Sequence, residues 1–136
     1  MPPVGELGDR VRRYFEACSD GDAAAIASHF SDEAVIFDTN LRPVRGAVAI
    51  GAFWVKVRER WDGARWSVDT LVEQADAVAI EWTMTGSKDG RSFAVHGSEH
   101  YRFDQGLIER INQYWTFDPE RLDTGLVDFP YADRTD

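Results

Sequence analysis

The sequence has few of the residues on which disulfide-rich, metal-binding and membrane proteins depend. Its single cysteine, Cys18, excludes an internal disulfide bond and is typical of a protein from a reducing cytoplasm. Its three histidines do not follow the Cys/His spacing of a metal site. No apolar run approaches the ~18 residues of a membrane span, and the N-terminal stretch lacks the apolar core of a signal peptide. We therefore predict a cytoplasmic protein without a metal ion or a membrane partner.

Basic residues are also scarce. The chain carries 15 Lys and Arg against 24 Asp and Glu, which gives a net charge of −9, whereas a nucleic-acid surface needs clustered positive charge. Hydrophobic residues make up 43% of the chain and aromatic residues 12%, as in a globular protein. With 136 residues and no internal repeat, the sequence predicts a single domain over residues 1–136 and no nucleic-acid partner.

Hydrophobic periodicity predicts the order ααβαββββ. Helices are expected over residues 7–19, 23–30 and 47–61, and strands over 34–38, 65–73 and 78–85, followed by a hairpin over 92–117. Asp22 is the expected N-cap of the second helix, and a turn is expected at residues 31–32. Helices that precede an antiparallel meander indicate an α+β fold, in which a curved antiparallel sheet packs against three helices as a cone with one open end. A helical turn over residues 119–122, capped by Asp118, is expected in the acidic tail.

The hairpin contains one conspicuous residue. On its first strand the odd-numbered positions from Phe93 to Phe103 share one face, and that face is apolar except for Glu99. A carboxyl group among apolar side chains costs free energy unless it is paired, protonated or used in function. Glu99 is therefore the first candidate for a functional residue.

Three stretches of the sequence point to a known superfamily. They are RRYFEACSDGDAAAIASHFSDEAVIFD, PVRGAVAIGAFW and GSEHYRFDQGLIERINQYW. They resemble the nuclear-transport-factor-2-like superfamily, which includes ketosteroid isomerases, limonene-epoxide hydrolases, scytalone dehydratase and SnoaL-type polyketide cyclases. The resemblance covers nearly the whole chain up to Trp115 and implies the cone-shaped α+β fold. It leaves the function open, because this fold is shared by enzymes and non-enzymes.

Within the superfamily, the nearest functional pattern looks like that of the ketosteroid isomerases. This resemblance implies that Tyr14 donates a hydrogen bond to a substrate oxygen, that Asp38 is the general base, and that protonated Glu99 is a second donor. The sequence departs from the pattern at two positions. Glu99 stands where an aspartate is expected, and Trp54 stands where a supporting tyrosine is expected on the third helix.

Each of these three residues also has an ordinary structural interpretation. Asp38 ends a predicted strand, where an aspartate commonly makes an Asx turn. Tyr14 lies on the apolar stripe of the first helix, where a core tyrosine with a hydroxyl at the boundary is common. Glu99 could form a buried salt bridge with Arg45 or Arg110.

Aromatic side chains are expected to form the walls of an apolar pocket. The hairpin turn sets the residue opposite Glu99, because a three-residue loop would place Gln113 there and a two-residue turn would place Asn112 there. Either amide could form a hydrogen bond with the Glu99 carboxyl. The expected substrate-binding residues are Trp54, Trp82, Tyr101, Gln113 and Trp115.

The remaining candidates have structural interpretations. His96 and His100 lie about 13 Å apart at ~3.3 Å per residue, too far to chelate one metal ion. They are expected on the face opposite Glu99, exposed to solvent or in the interface of a homodimer. His29 is expected to be structural within the second helix, and Cys18 to be a small buried apolar residue.

The sequence therefore predicts a cofactor-independent acid–base enzyme, an isomerase, dehydratase or cyclase, that acts on a small hydrophobic carbonyl compound. The alternative is a non-catalytic module that binds a small hydrophobic molecule or mediates dimerisation. An epoxide hydrolase of the limonene-epoxide-hydrolase type is a weaker alternative. The aspartate that those relatives carry near the sheet end is absent from residues 112–115, and their Arg/Asp pair is absent around residues 82–84.

Overall fold

A computed structural model describes residues 4–118, 120 and 124–133 of the chain. Three helices and six strands follow one another: α1 Glu6–Asp20, α2 Ala23–Ala27, β1 Phe30–Asp38, β2 Val44–Arg45, α3 Ala47–Glu59, β3 Asp62–Gln74, β4 Ala77–Lys88, β5 Arg91–Asp104 and β6 Leu107–Trp115, with a 3₁₀ turn at Tyr131–Asp133. The strands form one curved, open sheet in the order β2-β1-β6-β5-β4-β3. This is the predicted α+β fold, and its only parallel strand pair within the described residues is β1 with β6.

The helices cover one face of the sheet. The predicted apolar stripe of α1 is buried, with Leu7, Val11 and Tyr14 each at most 2% exposed. The first turn of α1 is held by β3, because the Glu73 carboxylate accepts hydrogen bonds from the backbone N–H groups of Gly8 (2.8 Å) and Gly5 (3.2 Å). These bonds satisfy donors that have no partner inside a helix.

The second helix is shorter than predicted. The Asp22 side chain caps it by accepting from the Ala25 N–H at 3.0 Å, as expected, but the helix ends at Ala27. His29 lies in the following turn, and Phe30 already belongs to β1, so the predicted turn at residues 31–32 is wrong. The cause is tertiary, because Phe30 packs edge-on against the Tyr14 ring and the Ile108 N–H donates to the His29 carbonyl.

Two further boundaries differ from the predictions. The two-residue strand β2, which pairs with Val35 and Ile36 of β1, lies in a stretch for which no element was predicted. Helix α3 ends at Glu59, so Trp61 lies beyond it. The helical turn predicted over residues 119–122 falls outside the described residues except for Glu120. No helix among the described residues is both long and apolar enough to cross a membrane.

The hairpin turn combines features of both predicted alternatives. Asp104 pairs with Leu107, so the connection is the two-residue turn Gln105-Gly106, with φ of 50° and 80°. A shift in register between Arg102 and Phe103 then restores the pairing of Glu99 with Gln113. A bulge of this kind places an extra residue on one strand. Gln113 therefore faces Glu99, although the loop does not have the three residues that this pairing was expected to require.

The outer face of the sheet is partly covered by the C-terminal segment, residues 124–133. The Thr124 N–H donates to the Ala94 carbonyl at 3.1 Å, and the Tyr131 ring stacks on the His96 ring with 3.6 Å between centroids. His96 also forms a 2.8 Å hydrogen bond with the Thr83 hydroxyl. His96 therefore packs against the chain's own C-terminal segment, which the sequence did not predict, whereas His100 is exposed.

Gly97 allows two large rings to meet across β5. A Cβ atom at this position would lie 2.5 Å from the Trp82 ring and 2.8 Å from the Trp115 Cβ. The Trp115 Cβ is fixed by the backbone of β6 and cannot turn away. The absence of a side chain at Gly97 is thus a condition for the packing of Trp82 and Trp115, whose ring centroids are 5.8 Å apart.

We expect Gly97→Ala to lower the free energy of unfolding by about 1–3 kcal/mol, because the added methyl group overpacks this contact. Urea unfolding followed by circular dichroism measures the change. Ser98→Ala, at the neighbouring half-buried position, is the control and should stay within about 0.5 kcal/mol of the original protein. Equal effects of the two substitutions would contradict the steric explanation.

Candidate functional site

A cavity of about 280 Å³ lies between the helices and the concave face of the sheet. Its volume is close to the lower end of the range of about 300–1,000 Å³ typical of small-molecule sites. Its polar wall residues are Tyr14, Cys18, Asp38, Asn40, Arg60, Glu99 and Gln113. All five tryptophans of the chain also line it. The three predicted catalytic residues thus meet at one cavity.

Strand register brings the polar groups together. Gln113 on β6 pairs with Asp38 on β1 and with Glu99 on β5, so the three residues form a row across three adjacent strands. At about 4.8 Å between strands, the Cα atoms of Asp38 and Glu99 are about 10 Å apart. The two carboxyl groups reach the cavity from either side of the same glutamine.

Asp38 makes the Asx turn and also lines the cavity. Its Oδ1 accepts from the Asn40 N–H at 2.6 Å, which is the Asx turn. Its Oδ2 accepts from Gln113 Nε2 at 2.7 Å and from Trp115 Nε1 at 2.8 Å. The Gln113 amide therefore donates to Asp38, whereas the sequence had left open a hydrogen bond from this amide to Glu99. Three of about four lone-pair directions are used, and the fourth belongs to Oδ1.

Glu99 is 3% exposed and has no cationic partner among the described residues. The salt bridge to Arg45 or Arg110, which was the structural alternative for Glu99, is not formed; both arginines are exposed. Burial raises the pKa of Glu99 to about 8; a hydrogen bond from Tyr101 opposes this shift and the charge of Asp38 adds to it. Glu99 is therefore protonated at neutral pH, and its carboxyl group can donate a hydrogen bond.

The two tyrosines have different partners. A side-chain hydrogen bond joins Tyr14 to Cys18, one helical turn away. The Tyr101 hydroxyl donates to Glu99 Oε2 at 3.3 Å. Burial raises the pKa of both tyrosines and of Cys18, so all three are neutral. Tyr101 is not a cavity-wall residue, contrary to its predicted role in substrate binding, and it contacts the site through Glu99.

The tryptophans differ in their hydrogen bonds. The Trp115 N–H binds Asp38, whereas the buried N–H groups of Trp54 and Trp82 have no acceptor within the described part of the chain. An unpaired buried donor costs about 1–3 kcal/mol. A ligand oxygen or a water molecule that reaches these donors would remove this cost. Trp54 and Trp82 line the cavity as predicted, together with Trp115 and Gln113.

The family model of the SnoaL-like domain matches residues 11–111, which is most of the chain and includes Tyr14, Asp38 and Glu99. The chain belongs to the SnoaL-like domain family. No curated protein is significantly similar to it in sequence.

Solved structures have the same fold. A protein of unknown function with a cystatin-like fold from Methylobium petroleophilum PM1 is 29% identical, with a TM-score of 0.74 over 94% of this chain and 88% of its own. A candidate SnoaL-like polyketide cyclase from Jannaschia sp. CCS1 is 15% identical, with a TM-score of 0.72 over 83% and 88%. A hypothetical protein with a ketosteroid isomerase-like fold from Catenulispora acidiphila DSM 44928, in complex with trimethylamine, is 17% identical, with a TM-score of 0.73 over 86% and 88%.

Sequence reasoning missed several wall residues of this SnoaL-like domain. Cys18 was expected to be a small buried apolar residue, but it lines the cavity and forms a hydrogen bond with Tyr14. Asn40, Arg60 and Phe117 line it from loop positions that follow regular elements, where periodicity carries no signal. The described residues contain no group of three or more His, Cys, Asp or Glu side chains that could hold a metal ion.

We expect the stability of the SnoaL-like domain to depend on pH through Glu99. The unfolded protein releases the Glu99 proton near pH 4.5, but the folded protein keeps it up to about pH 8. Stability contributed by this proton is complete below pH 4.5 and is lost as the pH rises to about 8. Relative to Glu99→Gln, the free energy of unfolding should fall by about 1.4 kcal/mol per pH unit in this window.

Urea unfolding of both proteins between pH 4 and pH 9 measures this difference. Glu99→Gln is the matched control because its side chain has nearly the same shape and does not titrate. Parallel stability curves for the two proteins would show that Glu99 ionises normally in the folded state.

Proposed function

We propose that this SnoaL-like domain is a cofactor-independent acid–base enzyme, an isomerase, dehydratase or cyclase, for a small hydrophobic carbonyl compound. The observation that carries the proposal is the pair of carboxyl groups on one apolar cavity. Glu99 is protonated and can donate, whereas Asp38 only accepts hydrogen bonds. A donor and an acceptor on opposite sides of a bound carbonyl compound are the requirements of enolisation.

In the proposed reaction, Asp38 removes a proton from the carbon next to the carbonyl group. Oδ1 has the remaining lone pair, so the proton moves to this atom. The electrons of the C–H bond form a C=C bond, and the carbonyl π electrons move to the oxygen to give an enolate. Return of the proton from Asp38 to another carbon of a conjugated system, as the carbonyl group re-forms, gives an isomer. Transfer of that proton to a β-hydroxyl group, which leaves as water as the carbonyl group re-forms, gives a dehydrated product.

The enolate oxygen is stabilised by donors that are already in place. The Glu99 O–H donates to it, and Tyr101 holds the Glu99 carboxyl through Oε2. The Tyr14 hydroxyl also lines the cavity, and its proton, which it donates to the Cys18 sulfur in the free protein, can be shared with the same substrate oxygen. In a cavity that excludes water, such fixed donors stabilise developing charge more strongly than water does.

Proton exchange at the carbon next to a carbonyl tests the proposal without knowledge of the product. Enolisable cyclic ketones are incubated with the protein in D₂O, and loss of the α-proton signal is followed by NMR. We expect Asp38→Asn to slow the exchange of an active ketone about 10²- to 10⁴-fold, because it removes the base. Asp76→Asn, at an exposed carboxylate on the turn between β3 and β4, is the control and should leave the rate unchanged.

Two results would contradict the proposal. One is exchange in Asp38→Asn at the original rate. The other is saturable binding of ketones, seen by tryptophan fluorescence, without exchange of any of them. The second result would favour the alternative of a non-catalytic module that binds small hydrophobic molecules, since the apolar cavity alone suffices for binding.

The pH dependence gives an independent test of Glu99. Because the protonated carboxyl is the donor, kcat/KM should fall about tenfold per pH unit above pH 8, where Glu99 ionises. Glu99→Gln keeps an N–H donor but does not titrate, so this decline should be absent. A decline that persists in Glu99→Gln would assign the titration to another group.

A further inference from the structure

We infer that the cavity continues along β5 into an apolar subsite that holds an aliphatic tail of the ligand. The inference rests on the proposed function, which places the carbonyl group of the ligand next to Glu99. It narrows the substrate class to carbonyl compounds that carry an alkyl chain. The observation behind it is a second cavity of about 40 Å³ beside the first.

The two cavities are neighbours with shared walls. Five of the residues around the second cavity also line the first, and its other two wall residues are Phe93 and Val95 of β5. Both are buried on the face of β5 that carries Glu99. At ~3.3 Å per residue, Val95 lies about 13 Å from Glu99 along the strand, and Phe93 about 20 Å. The combined space is therefore elongated, with Glu99 at one end.

Polarity changes along this length. The acid–base residues lie at the end formed by Glu99, Gln113 and Asp38. Only apolar and aromatic side chains line the second cavity. The N–H group of one of them, Trp115, already donates a hydrogen bond to Asp38. A second polar group on the ligand would lose its water there without a hydrogen bond in return. An aliphatic chain is the group that such walls favour.

Two aromatic side chains, Trp61 and Phe117, line both cavities. Phe117 is 41% exposed, and its ring lies 6.2 Å from that of Trp61. The Trp61 ring lies 4.5 Å from the ring of Phe93. Rotation of exposed side chains takes picoseconds to nanoseconds and needs no movement of the sheet. A ligand tail can thus pass under Trp61 and Phe117 into the space beside Val95.

A series of 4-alkylphenols from methyl to octyl tests the inference. Phenol is a planar analogue of an enol, and the alkyl chain is the only part of the probe that changes. Binding is measured by quenching of tryptophan fluorescence, since all five tryptophans line the cavity. We expect affinity to rise about fourfold per methylene group until the tail fills the subsite, and then to level off.

Matched variants locate the tail. Val95→Leu fills the subsite and should move the plateau to shorter chains, whereas Phe93→Leu enlarges it and should move the plateau to longer chains. Val78→Leu, also at a buried valine on the sheet but one that lines neither cavity, is the control and should keep the original plateau. Circular dichroism checks that each variant is folded. If Val95→Leu is unfolded, the chain-length dependence of Phe93→Leu tests the inference without it.

An affinity that does not change with chain length overturns the inference. It is also overturned if affinity levels off at the same chain length in Phe93→Leu and in the original protein. Neither result affects the proposed function, which depends on Asp38 and Glu99. If the original protein exchanges no ketone α-protons but its affinity for alkylphenols rises with chain length as expected, the proposed function is refuted and the subsite is retained. If no phenol binds, the subsite is refuted, and the exchange experiment decides the function on its own.

Discussion

The row that Asp38, Gln113 and Glu99 form across three strands is the constraint on which the rest of the site depends. Because side chains alternate along a strand, a slip of one residue in β6 would turn Gln113 away from the cavity. The Asp38 carboxylate would then lose a donor at 2.7 Å, and the donor from Trp115 would move with it. The bulge at Glu109 of β6, opposite Arg102 and Phe103, and the turn at Gln105-Gly106 set this register together. A surface feature of the hairpin thereby determines which polar side chains face the cavity.

Glu99 is buried without a cationic partner. This burial costs free energy whenever the carboxyl group is ionised. An arginine nearby would have made Glu99 a structural ion pair with a carboxylate that only accepts hydrogen bonds. The arginines that could have done so, Arg45 and Arg110, are exposed. The site keeps a neutral carboxyl beside an apolar cavity, an arrangement more typical of functional positions than of structural ones.

The sequence predicted the elements of this site better than their contacts. Glu99 could be singled out because it interrupts an apolar face of period two, which is a local pattern. The partner of Glu99 is Tyr101, two residues away on the same strand, whereas Gln113 turns to Asp38. That choice depends on the parallel pairing of β1 with β6, which no local pattern contains. Strand β2, the early end of α2 and the position of the C-terminal segment on His96 depend on tertiary contacts in the same way.

The parallel pair β1 and β6 also bears on how the protein folds. The Asp38–Gln113 bond joins residues 75 positions apart, and β6 lies between β1 and β5 in the sheet. Closing such a long loop costs entropy before any contact offsets it, so sheets of this kind fold slowly. The cavity has no complete wall until the last long strand is in place. A molecule bound inside the complete cavity therefore stabilises the folded chain but not a chain from which β6 has been released.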